Sequence, residues 1–218
     1  MRLFLADNHY DMHPGAIINR ELRERYGIES RFYEDDVESF LEMDPAAVDL
    51  LILNHIGDTC GVEHAGREAE AWMQQYLASG KPVFLQHGSS AAFWKWDWWR
   101  TLVGFRWVRP NDPDGVEKST HPHVEVFLRK AKARHPLMER LREFTMPEDE
   151  LYIDLETVSP ALVLMEADWE GKSYPMLFET AGPAGNKLVT WLPGHRETTL
   201  THPDFLHNCV EVIRYLEG

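Results

Sequence analysis

Short apolar segments alternate with amphipathic segments through the first half of the chain, and this alternation constrains the fold more than any other feature. The apolar segments have the length and composition of buried strands and lie at residues 2–6, 30–33, 50–53 and 82–85. Between them, residues such as Trp72, Tyr76 and Leu77 recur at helical spacing. Strands that alternate with helices predict βαβ units, so the sequence predicts an α/β fold with a mostly parallel sheet and helices on both faces.

The second half of the chain is less regular, but nothing in it marks a domain boundary. Further strands are predicted at residues 123–128, 151–155, 161–165, 176–179 and 188–191. Residues 137–144 are predicted to be helical, and an amphipathic helix is predicted at residues 205–216. The sequence contains no repeat and no low-complexity linker, so residues 1–218 are predicted to form a single domain.

Charge and composition disfavour several classes of partner. The chain has 22 basic and 36 acidic residues and a formal net charge of −14, whereas nucleic acid and anionic membranes both require clustered Lys and Arg. No apolar run approaches the length of a bilayer span, and the first residues become polar too soon for a secretory signal, so a cytoplasmic location is predicted. The two distant cysteines, Cys60 and Cys209, predict free thiols.

Residues 85–90 form the most informative motif, because a buried strand runs directly into a turn of small residues that opens a helix. Such an elbow presents one side chain, here His87, above the sheet and directs backbone N–H groups toward the same point. Gly88 permits the sharp turn. An imidazole is a poor covalent nucleophile but a good base or metal ligand, which makes His87 a candidate for either role. The alternative is a histidine that caps or packs the turn.

A second strand end also delivers a histidine. Pro193 and Gly194 follow the last predicted strand and lead directly to His195. Ligand sites of parallel sheets lie at the carboxyl ends of the strands, so His87 and His195 are expected to lie close together. A surface loop after the strand is the alternative interpretation of this segment.

Other polar residues at strand ends are weaker candidates. His9 and His13 follow the first strand and could bind a metal, although a solvated loop explains them equally well. His55 and Asp58 follow the third strand. Four of the eleven histidines stand beside or near prolines and are interpreted mainly as turn residues: His121, His123, His135 and His202.

An acidic run leads into a later predicted strand and ends in Glu150 and Tyr152. A charge run is usually only a solvated surface, so this segment is also a weak candidate.

Residues 93–99 contain four of the eight tryptophans, and helical spacing would place them on more than one side of a helix. A helix that is aromatic on several sides is buried on several sides, so core packing plus a subunit contact is the favoured explanation, and a homodimer is predicted. The alternative is that Trp94, Trp96 and Trp98 wall a sugar pocket, because the CH faces of sugars pack on aromatic rings.

Three segments together resemble the trehalose-utilisation (ThuA-like) family, a branch of the class I glutamine amidotransferase-like superfamily. They are VFLQHGSSAAFWKWDWWRTLVGFRW, HPLMERLREFTMPEDELY and KLVTWLPGHRETTLTHPDF, in this order. The resemblance covers most of the chain and implies a flavodoxin-like, doubly wound α/β fold. It also implies a link to disaccharide or keto-sugar metabolism. Amidotransferases carry a cysteine at the elbow, whereas this chain has His87 there, so no glutaminase activity is expected.

The residues and the resemblance together give one functional hypothesis and one rival. The first is an enzyme that acts as a hydrolase, lyase or isomerase on a sugar-like small molecule, with a divalent metal such as zinc as its cofactor. The rival is an accessory protein that binds a sugar or another metabolite without catalysis. The predicted catalytic residues are His87, His195 and Glu150; the predicted metal ligands are His87, His195 and His55; the predicted substrate-binding residues are Gly88, Ser89, Trp94, Trp96, Trp98 and Tyr152.

Overall fold

The computed structural model describes residues 1–36, 38–57 and 65–218, so Asp58 and Cys60 lie outside the described residues. The strands are β1 (Arg2–Ala6), β2 (Arg31–Glu34), β3 (Leu50–Asn54), β4 (Val83–Gln86), β5 (Phe105–Arg106), β6 (His123–Lys130), β7 (Phe144–Glu150), β8 (Glu156–Thr157), β9 (Leu162–Trp169), β10 (Lys172–Ala181) and β11 (Lys187–Trp191). The helices are α1 (Pro14–Tyr26), α2 (Arg67–Ala78), α3 (Asp97–Arg100), α4 (Glu197–Leu200) and α5 (Pro203–Glu217). Short 3₁₀ segments occupy Ser39–Glu42, Pro45–Ala47, His87–Ala91 and Pro136–Glu139. Within the described ranges, no helix is both long and apolar enough to cross a membrane.

One nine-stranded sheet runs through the molecule in the order β2-β1-β3-β4-β11-β10-β9-β6-β7. The strands from β2 to β11 are parallel to their neighbours, and those from β11 to β7 are antiparallel. The predicted α/β class is therefore confirmed. The parallel half brings the carboxyl ends of β1, β3, β4 and β11 to one edge of the sheet, which is where a ligand site is expected.

The antiparallel half follows from its short connections. β9 and β10 are joined by Glu170 and Gly171, with φ values of 48° and 78°, the left-handed pair of a type I′ hairpin. A two-residue connection is too short to hold the crossover that parallel neighbours need, so β10 must run antiparallel to β9. The residues of these strands were predicted, but their direction depends on turn geometry.

The core lies on both faces of the sheet. Along β1, Phe4 and Ala6 face a core shared with α1 and α5, whereas Leu3 and Leu5 face a second core shared with α2. All four side chains are buried. This explains why the parallel strands read as continuous apolar runs rather than as an alternation of apolar and polar residues.

Several predicted elements take a different form. The predicted helix at 137–144 is wrong, because a single 3₁₀ turn at Pro136–Glu139 precedes β7. The predicted strand at 151–155 is also wrong, because strand β7 ends at Glu150 and the segment after it forms an isolated bridge between Ile153 and Thr120. The elbow opens into the 3₁₀ segment His87–Ala91 and, after a further turn, the four-residue helix α3, not into one helix.

The tryptophan-rich segment 93–99 packs mainly inside the subunit. The rings of Phe93 and Trp96 stack with centroids 4.2 Å apart, and Trp96 stacks on Trp98 with centroids 5.7 Å apart. Phe93, Trp96 and Trp99 are buried in the core that also contains α2. This packing removes the reason for which a homodimer was predicted, and the homodimer stays a prediction.

Candidate active site

Three imidazole rings meet at the carboxyl edge of the parallel half. His9 follows β1, His87 follows β4 and His195 follows β11. The Nε2 atom of His9 lies 3.0 Å from Nδ1 of His195 and 3.2 Å from Nε2 of His87. These three side chains, called the histidine triad below, come from strands that only the sheet brings together.

The spacing of the triad suits one metal ion. Zinc–nitrogen bonds of about 2.0–2.1 Å at tetrahedral angles place two ligand nitrogens about 3.3 Å apart. The observed separations of 3.0 and 3.2 Å are close to this value. One donor atom from each ring lies within 4.8 Å of the other two. The donor set therefore fits zinc or a similar transition metal, with room for further ligands.

Contacts outside the triad orient two of its rings. Nδ1 of His87 donates to the carbonyl oxygen of Leu192 at 3.0 Å, which leaves its Nε2 lone pair facing His9. Nδ1 of His9 faces Oδ1 of the buried Asp7 at 3.9 Å. That oxygen has no hydrogen-bond partner among the described residues. Ring nitrogens that face a backbone carbonyl and a carboxylate are the usual outer contacts of metal-bound histidines.

Burial keeps the triad uncharged. Desolvation lowers the pKa of His9 to about 4, although Asp7 opposes this shift, and lowers the pKa of His87 well below its ordinary value. The pKa of His195 is also lowered, again mainly by burial. Neutral imidazole is also the form that can bind a metal ion.

Glu150 lies against the triad from the antiparallel half. Its Oε2 is 3.5 Å from Nε2 of His87, and its Oε1 is 3.2 Å from Nδ1 of His121. Burial, together with the neighbouring carboxylate of Asp149, raises the pKa of Glu150 to about 7. The hydroxyl of Tyr152 lies 3.2 Å from Nε2 of His87. A carboxylate and a phenol therefore face the same point as the imidazole lone pairs.

The buried carboxylate of Asp149 fixes the loop that carries His195. Its Oδ2 accepts the backbone N–H groups of His195 and Arg196 at 3.3 and 3.2 Å. Its Oδ1 accepts the N–H group of Glu150 at 2.7 Å. One side chain thus sets the relative position of the triad and the carboxylate of Glu150.

The backbone at the site is strained. His9, Tyr10 and Asp11 lie in the left-handed region with φ values of 48°, 58° and 62°, and His87 has a φ of 49°. Non-glycine residues in this region cost about 1–3 kcal/mol each and are concentrated at functional sites. At Gly88, a Cβ atom would approach Cγ1 of Ile56 to 2.4 Å, so this position of the elbow requires glycine.

The triad opens into an inner cavity of about 480 Å³. The aromatic walls of this cavity are Tyr10, Trp107 and Tyr152. The ring of Trp107 lies 4.6 Å from that of Tyr152 between centroids. Aromatic walls with a few polar groups at one end are the usual composition of a small-molecule site.

The structure brings five of the predicted site residues together: His87, His195, Glu150, Tyr152 and Gly88. It does not bring the others there. Nδ1 of His55 lies 3.5 Å from Oδ2 of Asp7, and its ring packs near that of Phe93. The third imidazole beside His87 and His195 is that of His9, where the sequence predicted His55. Ser89 is buried, where its hydroxyl donates to the carbonyl oxygen of Leu53.

The three predicted sugar-binding tryptophans lie apart from the walls of the inner cavity. Trp96 is buried in the core, Trp98 donates to Glu70 at 2.7 Å, and Trp94 stacks under the guanidinium of Arg109. The cavity uses Trp107 instead. No feature of the sequence predicted that Trp107, rather than another tryptophan, would line the cavity. Trp107 directly follows β5, and the pairing of this short strand with β8 is a contact between distant segments.

Two of the histidines near prolines belong to the site and two do not. The side chain of His135 accepts the backbone N–H group of Leu137 at the start of a 3₁₀ turn, as the sequence predicts, whereas that of His202 accepts the N–H group of Asp204 at the start of α5. His121 and His123 instead face Oε1 of Glu150, at 3.2 and 3.7 Å. Sequence reasoning therefore missed two polar groups beside Glu150, of which His121 also lines the cavity.

The sheet order defines the protein as an α/β fold, which is consistent with the flavodoxin-like, glutamine amidotransferase-like type. The sequence profile of the ThuA family, described as trehalose utilisation, matches residues 6–216. The chain belongs to the ThuA family, as the sequence predicts.

Solved structures agree with this fold. A protein from Parabacteroides merdae described as ThuA-like is 18% identical with a TM-score of 0.78, over 100% of this chain and 89% of that one. Another from Bacteroides uniformis, also described as ThuA-like, is 12% identical with a TM-score of 0.71, over 99% and 91%. A cytoplasmic protein from Salmonella typhimurium is 10% identical with a TM-score of 0.61, over 92% and 86%. No curated protein sequence shows significant similarity to this chain.

The protein should release no ammonia from glutamine. The elbow carries an imidazole, and the thiol of Cys209 is fully buried in α5, where burial raises its pKa. A protonated, inaccessible thiol cannot attack an amide. Incubation with glutamine, with an active amidotransferase as positive control, should give only the background of the buffer. Robust ammonia release would contradict this interpretation of the elbow.

Proposed function

We propose that the protein is an enzyme of carbohydrate metabolism that binds a divalent metal ion, zinc or a similar transition metal, on His9, His87 and His195. The observation that carries the proposal is the convergence of three imidazole nitrogens at 3.0 and 3.2 Å, with the outer nitrogen of His87 already bonded to a carbonyl. A ring nitrogen held by a backbone carbonyl is the usual outer contact of a metal-bound histidine.

The bound ion would act as a Lewis acid and polarise a carbonyl or hydroxyl oxygen of the substrate. The carboxylate of Glu150 faces the same point and would accept a proton from the substrate or from an attacking water. The hydroxyl of Tyr152 is placed to donate a proton to an oxygen of the substrate. Together these groups suit a hydrolase, lyase or isomerase that acts beside a polarised oxygen.

The shape of the inner cavity and the family support a sugar as substrate. Trp107 and Tyr10 offer aromatic faces on which the CH groups of a sugar ring can pack. The family is described as trehalose utilisation, which agrees with a disaccharide or an oxidised, keto form of one. A cytoplasmic location stays a prediction.

Metal content and ligand binding test the proposal together. The purified protein should retain about one zinc-type ion per chain, measured by inductively coupled plasma mass spectrometry. In thermal-shift assays with disaccharides and their keto forms, a binding sugar at a hundredfold excess over its Kd should add about 2.7 kcal/mol to the free energy of unfolding. Sugar binding should weaken when a chelator removes the metal.

The variant Glu150→Gln separates an enzyme from an accessory protein. It has nearly the same shape as the wild type and should keep the metal and the sugar but lose turnover of that sugar, because the amide cannot accept a proton. Sugar binding without turnover in the wild type would favour the accessory protein. If no metal is retained and no sugar stabilises the wild type, the proposed function is wrong and only the fold and family remain.

A further inference from the structure

A second depression adjoins the inner cavity and shares part of its wall. This outer groove has a volume of about 490 Å³, and its lining includes Trp107, His121, Lys118, Thr120 and Trp169. The inner cavity and the outer groove have Trp107, Pro110 and His121 in common. A molecule longer than one ring could therefore lie in both without leaving the protein surface.

The groove is a preformed part of the fold. The backbone of Thr120 exchanges two hydrogen bonds with that of Ile153, at 3.2 and 2.9 Å, and the carbonyl of Pro122 accepts the N–H group of Leu151 at 2.9 Å. These bonds tie one wall to the segment that carries Tyr152. Preformed walls reduce the entropy that a ligand must lose on binding.

The chemistry of the groove matches that of a sugar ring. Trp107 and Trp169 provide aromatic surface, and the ring of Trp107 also contacts His121 at 5.4 Å between centroids. Lys118 is exposed and lies beside the exposed Thr120, whose hydroxyl donates to Asp154 at 3.3 Å and can still accept. Aromatic faces with a few donors and acceptors suit a neutral ring that carries several hydroxyls.

We propose that the outer groove binds a second glycosyl unit, so that the ligand is a glycoside of at least two rings, with its reacting ring over the histidine triad and its second ring between Trp107 and Trp169. This inference rests on the proposed function, because the inner cavity must first hold a sugar. It adds a subsite outside the catalytic groups and predicts that a disaccharide binds more tightly than either ring alone.

Calorimetric titration of the metal-loaded protein with glucose, trehalose and other glucose disaccharides tests the subsite. At least one disaccharide should bind about tenfold more tightly than glucose. Trp169→Ala should remove that advantage and leave the affinity for glucose and the metal content unchanged. Because Trp169 also packs partly against the core, Lys118→Ala serves as a second variant that leaves the fold intact. Phe127→Ala removes an exposed aromatic side chain of β6 outside both cavities and should change nothing.

Two results would overturn the inference in different ways. If glucose and the disaccharides bind equally, or if neither Trp169→Ala nor Lys118→Ala lowers the affinity for a disaccharide selectively, the subsite is wrong and the proposed function stands. If no sugar of the panel binds the metal-loaded wild type, the sugar assignment fails and the subsite fails with it. Preferential binding of adenosine in the groove would likewise overturn the glycosyl assignment.

Discussion

His9→Ala and His87→Ala should each weaken zinc binding about a thousandfold and leave the purified protein with little bound metal. Zinc sites contribute about 10–16 kcal/mol of binding free energy, so the loss of one of three protein ligands removes several kcal/mol. Each removed nitrogen lies within 3.2 Å of another triad nitrogen. Metal content by mass spectrometry and competition with a zinc-binding dye measure the effect.

Two further histidine variants make this result specific. His207→Ala removes an imidazole of α5 whose Nε2 donates to the carbonyl oxygen of Arg140, and it should keep the full metal content. His55→Ala compares the two candidates for the third metal ligand, because the sequence predicted His55 whereas the structure places His9 beside His87 and His195. Provided that circular dichroism shows it to be folded, the His55 variant should retain the metal. Loss of zinc in His55→Ala with retention in His9→Ala would contradict the triad.

Asp149→Ala should lower the free energy of unfolding by about 3 kcal/mol, because three backbone N–H groups lose their acceptor in a buried place. For a chain of this size, the melting temperature should fall by roughly 6–12 °C. The N–H group of His195 should also exchange with solvent faster, and zinc affinity should fall because that ligand is no longer held. Differential scanning calorimetry and hydrogen exchange measure the two effects.

Asp149→Asn and Asp168→Ala are the matched controls. The asparagine keeps one oxygen, so its melting temperature should lie between those of the wild type and Asp149→Ala. Asp168 is an exposed carboxylate that pairs with Arg129, and its loss should change the melting temperature little. An unchanged melting temperature in Asp149→Ala would show that this carboxylate does not hold the loop.

Much of the parallel half could be predicted from the sequence because its signals are local. A continuous apolar run such as β3 or β4 has to be buried on both faces, and helical spacing identifies the segment that covers it. The elbow was predicted for the same reason, since a strand, a small residue and a polar side chain adjoin in the chain. These signals also predicted that His87 and His195 would lie close together. In the structure their ring centroids are 5.5 Å apart.

The sequence by itself determined the α/β class, the strand ends that carry polar residues and two members of the triad. Only the tertiary structure decided that His9 rather than His55 completes the triad, because both residues follow strands and both face Asp7. The backbone of His9 lies in the left-handed region, and this turn belongs to the loop that brings its ring to His87 and His195. The same holds for Trp107, which reaches the cavity through contacts between segments far apart in the chain. The periodicity of apolar residues indicates which side chains are buried. The direction in which a loop turns depends instead on side chains that come into contact only after folding.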